Sequence, residues 1–342
     1  MLNGTPLHHG GIMVNYSCTA ACRHCLYACS PTRSGGVAGS TADGAYIGKE
    51  MAREVCGLLR EGGCGSVHIG GGEPFLNFEG LIGMVRELRR ARISLEYVET
   101  NAYWAAGSNA TEKLEILIRE GVNSLCVSLD PYHAEYVPYE YPLLLAKRCE
   151  EAGMGCFLWQ ERFLPDLKRL DGKKVHRRAE MEAAIASGYI WNTARAYGIH
   201  FGGRAVNIET EYSPFRSVEA LLGDASAGDP CRNLLSSGHF HVDMHGCFIP
   251  PGCTGIRLPL AEVIRGIPSG KYPVFEALYS DGVLSLYTLA RKQGFTAGAK
   301  GYSSRCAFCF HLRRGLAGDG AGGGGYAELD REYYDEALRY YD

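Results

Sequence analysis

Strand-like and helix-like segments alternate from residue 11 to about residue 205, and this order constrains the fold more than any other feature of the chain. Short apolar runs bounded by glycine and polar residues predict strands, whereas longer segments with apolar side chains at helical spacing predict helices. The predicted strands are residues 11–17, 66–70, 93–100, 123–129, 154–160 and 205–210. The predicted helices are residues 49–61, 78–92, 111–120, 142–152 and 175–187. This order forms parallel βαβ units, which predicts an α/β fold built as an incomplete barrel or an open sheet.

Glycine and polar residues gather directly after the predicted strands. Gly71-Gly72-Glu73-Pro74 follows the second strand, Glu99-Thr100-Asn101 ends the third, and Ser128-Leu129-Asp130 ends the fourth. Ligands of parallel α/β folds bind at the carboxyl ends of the strands. We therefore expect the functional site at this edge of the sheet.

The alternation weakens beyond the last predicted strand, which indicates a change of domain. We expect residues 1–210 to form one domain and residues 211–316 to form a smaller second one. The segment 316–325 is rich in glycine and predicts a flexible linker, and residues 327–341 predict a short helix rich in tyrosine and acidic residues. Residues 317–342 are accordingly assigned to a linker and a C-terminal tail.

The charge balance and the apolar pattern exclude several classes of protein. The chain has 35 Lys and Arg against 38 Asp and Glu, a net charge of -3, which gives no support for nucleic-acid binding. No uninterrupted apolar stretch is long enough to span a membrane, and the N-terminus lacks a signal-peptide pattern. We therefore expect a cytoplasmic protein with no membrane and no nucleic-acid partner. In a reducing cytosol, its 14 cysteines point to metal binding or redox chemistry rather than to disulfides.

Three of these cysteines lie in one short segment after the first predicted strand. Cys18, Cys22 and Cys25 are spaced so that a loop can direct all three thiols at one centre. Three thiolates on a four-iron cluster leave one iron open to a substrate atom, whereas a structural zinc site needs four ligands. A zinc loop is the alternative; His24 would supply its fourth ligand, although the adjacent Cys25 makes that geometry awkward.

These segments resemble the radical S-adenosylmethionine (SAM) superfamily. Its Cys-x3-Cys-x2-Cys signature matches Cys18, Cys22 and Cys25, and Gly71-Gly72-Glu73-Pro74 resembles its GGEP motif. The likeness continues at the ends of the third and fourth strands and covers about 200 residues in the same order. It implies a partial (β/α)6 TIM-like barrel and a [4Fe-4S] cluster on the three cysteines. It also implies cleavage of SAM to a 5′-deoxyadenosyl radical that abstracts a substrate hydrogen, with electrons from a partner such as flavodoxin or ferredoxin.

The resemblance further implies which residues contact SAM. Gly71 and Gly72 would let the backbone approach its methionine moiety, and the Glu73 carboxylate would accept hydrogen bonds from its amino group. Three polar residues would bind the ribose hydroxyls, although turn or cap roles are equally compatible with them. These residues are Asn101, Ser128 and Asp130. Arg204 belongs to a Gly-Gly-Arg-Ala segment that resembles a motif often found before the second domain, and we include it in the SAM pocket.

A second group of cysteines lies in the C-terminal part. Cys306-Ala-Phe-Cys309 is a short chelating pair, and Cys231 and a cysteine beyond a predicted hairpin complete the set. The pattern resembles the Twitch domain, a shortened SPASM domain that holds an auxiliary [4Fe-4S] cluster. The usual spacing after the hairpin glycine is not met, so Cys253 is favoured as the fourth ligand and Cys247 is the alternative. Four protein ligands favour an electron-transfer role over substrate binding, and zinc is the alternative occupant.

The resemblance leaves the substrate open. One interpretation is oxidation of a small polar molecule, such as an aminocyclitol or a sugar, with the auxiliary cluster as electron acceptor and His133 as general base. Another is maturation of a ribosomally made peptide by crosslinking, epimerisation or oxidation, where Cys247 would be the hydrogen-atom donor of an epimerase. The 17 residues before Cys18 leave no room for a peptide-recognition domain, which favours the small molecule. A non-enzymatic iron–sulfur or zinc-binding protein is the third interpretation.

Overall fold

Five parallel strands and the helices between them make up the N-terminal part of the computed structural model. The structure describes residues 4–34, 45–224, 226–318 and 325–339. The parallel strands are β1 (His9–Met13), β2 (Ser66–Gly70), β3 (Ser94–Thr100), β4 (Ser124–Ser128) and β5 (Gly155–Trp159). The helices of this part are α1 (Lys49–Glu61), α2 (Phe78–Ala91), α3 (Ala110–Arg119), α4 (Pro131–Ala134), α5 (Glu140–Ala152), α6 (Leu164–Leu167), α7 (Arg178–Ala184), α8 (Tyr189–Tyr197), α9 (Ala205–Tyr212) and α10 (Val218–Leu222). The α/β class predicted from the alternation is confirmed.

Local sequence explains why these elements form where they do. In β2, Val67 and Ile69 are fully buried on one face, and His68 between them lies on the other because strand side chains alternate. Helix α1 buries a stripe of apolar residues at helical spacing, which include Val55 and Leu59. Helix α5 ends at Gly153, whose φ of 72° is a left-handed conformation that glycine adopts without strain.

The sheet continues into the C-terminal part of the chain. Strand β6 (Phe240–Val242) pairs in parallel with β1, and β7 (Cys247–Ile249) and β8 (Leu258–Pro259) follow as antiparallel strands. The strand order is β5-β4-β3-β2-β1-β6-β7-β8, so the barrel is open. The helices of this part are α11 (Leu260–Arg265), α12 (Pro273–Lys292), α13 (Arg305–Ala317) and α14 (Arg331–Arg339).

The sixth strand predicted at residues 205–210 is wrong, because this segment forms helix α9. Its short apolar pattern suits either element; as a helix it buries Ala205, Val206 and Ile208 together. The backbone N–H of Arg204, just before the helix, donates to the carbonyl of Cys25 at 3.1 Å. The sixth parallel strand is instead β6, on the opposite side of the sheet. Its pairing with β1 is a contact between distant segments, which local periodicity does not encode.

The C-terminal end packs into the rest of the molecule. The predicted linker starts too early, because α13 continues to Ala317; residues 319–324 and 340–342 of the linker and tail lie outside the described residues. The predicted C-terminal helix is confirmed as α14, with Tyr333 and Tyr334 buried. The buried guanidinium of Arg33 pairs with Asp330 at 2.6 Å and ties this end to the N-terminal part. Across the described ranges, no helix combines the length and the apolar character that crossing a membrane requires.

Candidate iron–sulfur and SAM site

The loop that follows β1 places three thiols on the wall of one cavity. Cys18, Cys22 and Cys25 line a cavity of about 450 Å³ at the carboxyl ends of the parallel strands. The loop is closed at its base, where the backbone N–H of Cys18 donates to the carbonyl of Ser30 at 3.0 Å. The structure therefore places together the three cysteines whose spacing in the sequence predicted a shared centre.

Arg204 supports this loop from behind. Its guanidinium is 1% exposed, donates to the carbonyl of Cys22 at 2.9 Å, and also donates to the carbonyl of Cys29. Arg204 also lines the cavity. A hydrogen bond from Cys29 and the buried Arg204 charge lower the pKa of the Cys25 thiol well below its usual range against the effect of burial, which favours the metal-binding thiolate. Arg204 is thus placed to hold the cysteine loop, and a contact with SAM stays a prediction.

Hydrogen bonds to sulfur show that the loop suits a metal centre. Cys18 Sγ accepts from the backbone N–H of Ala20 at 3.4 Å and from Asn101 Nδ2 at 3.7 Å, and Cys25 Sγ accepts from the backbone N–H of Cys29 at 3.3 Å. Donors of this kind stabilise negative charge on sulfur and tune iron–sulfur clusters. Burial raises the pKa of Cys18 well above its usual range, so the thiolate needs a positively charged partner. The donor set fits a cluster with three protein ligands.

Gly71 and Gly72 are required by close backbone packing. A Cβ at Gly72 would lie 2.0 Å from the carbonyl oxygen of Ser17, and a Cβ at Gly71 would lie 2.8 Å from that of Asn15. Gly71 also has a φ of 147°, which side chains disfavour. Both glycines line the cavity. They let the strand end approach the cysteine loop, a role in addition to the predicted contact with SAM.

Glu73 turns its carboxylate toward the protein in this structure. The side chain is 0% exposed, and its oxygens accept from the backbone N–H groups of Phe75 at 3.1 Å and Asn101 at 2.8 Å and from the Thr100 hydroxyl at 2.9 Å. Burial raises its pKa to about 7 against these hydrogen bonds. Glu73 therefore fixes Asn101, which itself lines the cavity, and its predicted contact with the SAM amino group stays a prediction.

Two polar residues at the end of β4 differ in role, because one lines the cavity and the other supports a neighbouring helix. Ser128 lines the cavity, whereas Asp130 is 1% exposed and caps α4 through the backbone N–H groups of Tyr132 and His133. Asp130 Oδ2 also lies 2.8 Å from His133 Nδ1. Burial alone would lower the pKa of His133, but Asp130 and Cys22 outweigh it and hold this pKa well above its usual range. Asp130 thus holds the His133 ring beside Cys22, and the role of His133 as general base stays a prediction.

The second group of cysteines also converges. Cys231, Cys253, Cys306 and Cys309 line one cavity of about 210 Å³ between the β6–β8 region and the C-terminal helices. Cys247 lies on β7 and, within the described residues, belongs to the wall of neither this cavity nor the larger one. The geometry thus groups Cys253, not Cys247, with the other three thiols.

The electrostatics of this second cavity suit a metal cluster. Burial, followed by the neighbouring Cys309 and Cys306, raises the pKa of Cys231 to about 11, and burial raises that of Cys253 to about 12. Four mutually repelling thiolates need a positively charged centre to coexist. Arg313, 5% exposed, donates from Nη1 to the Thr254 carbonyl at 2.7 Å, while its buried Nε has no hydrogen-bond partner among the described residues. An unpaired N–H group of this kind is suited to donate a hydrogen bond to a sulfur atom of a bound cluster.

Sequence reasoning missed a set of polar residues inside the barrel. Tyr27, Tyr97, His239 and His241 line the larger cavity together with Glu99, which the sequence placed at the end of the third strand. The alternation within the strands carries a signal for them, because a histidine between two buried apolar residues of a strand faces the barrel interior.

Comparisons with known proteins agree with the iron–sulfur assignment. Residues 11–127 match the family model described as a 4Fe-4S single cluster domain. Two solved structures of SuiB from Streptococcus suis are similar in fold. One has a TM-score of 0.43 and 16% identity and covers 82% of this chain and 72% of that one. The other, bound to S-adenosylmethionine, has a TM-score of 0.41 and 15% identity, and the match covers 88% of this chain and 75% of that one. No curated protein matches the sequence significantly.

The chain thus has an open α/β barrel whose first strands match a 4Fe-4S domain. The matched segment runs from β1 to β4 and contains the loop with the three clustered thiols and both glycines of the strand-end motif. The 4Fe-4S domain expected from the sequence in this part of the chain is therefore confirmed.

Proposed function

We propose that this protein is a radical SAM enzyme that cleaves SAM reductively and abstracts a hydrogen atom from its substrate. The observation that carries the proposal is the shared cavity, where the three thiols of the 4Fe-4S domain meet Gly71, Gly72 and polar groups from the ends of β3 and β4. A three-thiolate cluster keeps one iron for an exogenous ligand, and this cavity is the space in which such a ligand would lie.

We further propose that the reaction is an oxidation. When bound, the clusters supply the electron that cleaves SAM and an acceptor for the electron that the substrate loses. The cavity of the second cysteine group adjoins the first, since His200 lines both. Loss of one hydrogen atom, one electron and one proton then balances a two-electron oxidation of a C–H bond next to a hydroxyl group.

Glu99 is the residue best placed to accept the proton. Its side chain lines the cavity, and desolvation of the carboxyl group inside the barrel raises its pKa to about 7. A proton acceptor works best when its pKa lies near the operating pH. Asp130 and Cys22 raise the pKa of His133, the base expected from the sequence, against the effect of burial, and the proposal therefore assigns the proton acceptor to Glu99.

A peptide substrate is the second candidate, and one observation favours it. Strand β5 forms an edge of the open sheet, and Phe157 and Trp159 on it are 40% and 48% exposed. An edge strand with exposed aromatic side chains can pair with an extended peptide. Substitution of Phe157 by Ala separates the two candidates, because this side chain lies on the same edge strand but lines neither cavity, so its loss would weaken a peptide at least ~10-fold more than a small molecule held inside the barrel.

Metal content and spectroscopy test the proposal. After anaerobic reconstitution we expect about eight irons and eight sulfides per chain in the wild type. The variant with Cys18, Cys22 and Cys25 changed to Ala should hold about four irons and about four sulfides. SAM should change the electron paramagnetic resonance spectrum of the reduced wild-type protein and leave that of the triple variant unchanged. The control is Cys64→Ala, which removes a buried cysteine outside both cavities and should retain all the iron. A wild-type spectrum that does not respond to SAM would refute the proposal.

A further inference from the structure

Three histidines from two strands converge inside the barrel. His68 lies on β2, and His239 and His241 belong to the β6 region, with one residue between them. We call these three residues the histidine cluster. Each offers one ring nitrogen to a common group whose members all lie within 4.8 Å of one another. His68 and His241 are buried, and His239 is exposed and faces the cavity.

Gly11 makes this convergence possible. Strand β1 runs between β2 and β6, and Gly11 is in register with both His68 and His241. A Cβ at Gly11 would lie 2.3 Å from His68 Nε2 and 2.7 Å from His241 Nε2. Any larger residue at this position would push the two imidazoles apart. The histidines thus meet across an intervening strand only because that strand carries a glycine.

The spacing of the nitrogens suits a transition-metal ion. Tetrahedral Zn²⁺ with Zn–N distances of about 2.0–2.1 Å requires ligand nitrogens about 3.3 Å apart. His68 Nε2 and His241 Nε2 are 3.2 Å apart. The nitrogens of the group lie within 4.8 Å of one another, at most about 1.5 Å beyond the ideal separation, so metal binding requires the exposed His239 ring to turn toward the other two.

The surroundings prepare these side chains to act as ligands. The Tyr27 hydroxyl lies 2.9 Å from His241 Nδ1 and orients this ring, as partners of metal-binding histidines commonly do. The His68 side chain is 1% exposed and stacks on the rings of Tyr97 and His239, so packing fixes its orientation.

We propose that His68, His239 and His241 bind one divalent transition-metal ion of the Zn²⁺ type at the base of the SAM and substrate cavity. Three protein ligands leave a coordination position open toward the cavity, as in catalytic zinc sites. That position would bind a hydroxyl oxygen of the substrate and make it more acidic, with the Glu99 carboxylate, 3.7 Å from His68 Nε2, ready to take the proton. This role rests on the proposed function, whereas metal binding itself does not.

Zinc binding to the reconstituted holoprotein tests the inference. The probe is Zn²⁺ alone, added after both cysteine sites have been filled with iron and sulfide, followed by removal of loosely held metal and measurement of zinc per chain. X-ray absorption at the zinc edge then reports the ligands, because nitrogen and oxygen lie at about 2.0–2.1 Å and thiolate sulfur at about 2.3 Å. We expect one zinc per chain with nitrogen and oxygen ligands and no sulfur.

The variants are chosen so that folding does not decide the result. His239→Ala removes an exposed ligand and should weaken zinc binding at least ~10-fold while iron content stays normal. Gly11→Ala should have the same effect by separating the other two rings. His8→Ala removes an exposed histidine outside the cluster and should leave zinc binding unchanged. Zinc at sulfur distances, or equal zinc retention by wild type and His239→Ala, would overturn the inference.

The same samples separate this inference from the proposed function. SAM cleavage without zinc binding would overturn the metal site and leave the radical SAM assignment intact. Zinc on the histidines without SAM cleavage would support the metal site and refute the proposed function.

Discussion

Replacement of Gly72 by Ala is the sharpest structural perturbation of the cysteine loop. The added Cβ would lie 2.0 Å from the carbonyl oxygen of Ser17, whereas an ordinary contact begins at 3.4 Å. Ser17 immediately precedes Cys18, so the loop or the strand end must retreat by about 1.4 Å, the difference of these two distances. A displacement of about 1 Å in a reacting group can cost ~100-fold in rate. We therefore expect SAM cleavage to fall at least ~100-fold in Gly72→Ala.

The assay measures 5′-deoxyadenosine formed per chain, together with iron content and the free energy of unfolding. Overpacking of this kind costs about 1–3 kcal/mol of stability, which the unfolding curve would report. The matched control is Gly57→Ala in α1, where an added Cβ meets nothing within 4 Å. That variant should be stabilised by about 0.5–1 kcal/mol and keep full activity. Normal iron content and SAM cleavage in Gly72→Ala would refute the claim that this glycine positions the cysteine loop.

Three further predictions concern the second cluster, the proton acceptor and the C-terminal helix. Replacing Cys306 and Cys309 together by Ala should remove about half of the iron and leave SAM cleavage intact. Cys247→Ala should retain all the iron, and iron loss in this variant would show that Cys247 rather than Cys253 is the fourth ligand. Substrate oxidation should slow as the pH drops below about 7, because desolvation raises the pKa of Glu99 to about 7 and only its carboxylate form accepts a proton. If Glu99→Gln had the same pH profile as the wild type, this role of Glu99 would be contradicted. Arg33→Met leaves Arg257, 3.7 Å away, as the remaining cation beside the buried Asp330 carboxylate and should cost about 1–3 kcal/mol in urea unfolding, while a loss below ~0.5 kcal/mol would argue against a structural role for the ion pair.

The first cysteine group and the parallel strands could be predicted because their signals are local. Residues 49–61 form a helix with the predicted bounds, since apolar spacing and a following glycine define both of its ends. The sixth strand could not be placed, because β6 is fixed by its pairing with β1, more than 200 residues earlier in the chain. Short apolar segments suit either a helix or a strand, and tertiary contacts decide between them.

The limits at the site have the same origin. Spacing after Gly246 left two candidates for the fourth thiol, and only the fold shows that Cys253 shares a cavity with the other three. Glu73 and Asp130 follow strand ends, as ligand-binding acids do, but both turn to backbone N–H groups of their own loops. Local sequence does not distinguish an acid that caps a helix from one that faces a ligand. The histidine cluster was missed because its members meet across a third strand at a glycine.

Reductive cleavage of SAM is the measurement that tests the central claim most directly. The reconstituted protein is reduced with dithionite under anaerobic conditions, and 5′-deoxyadenosine and methionine are quantified against time. We expect the wild type to form one methionine for each 5′-deoxyadenosine, and Cys64→Ala to do the same. The variant that lacks Cys18, Cys22 and Cys25 should form neither product. A wild-type protein that holds about eight irons yet forms no 5′-deoxyadenosine would contradict the account.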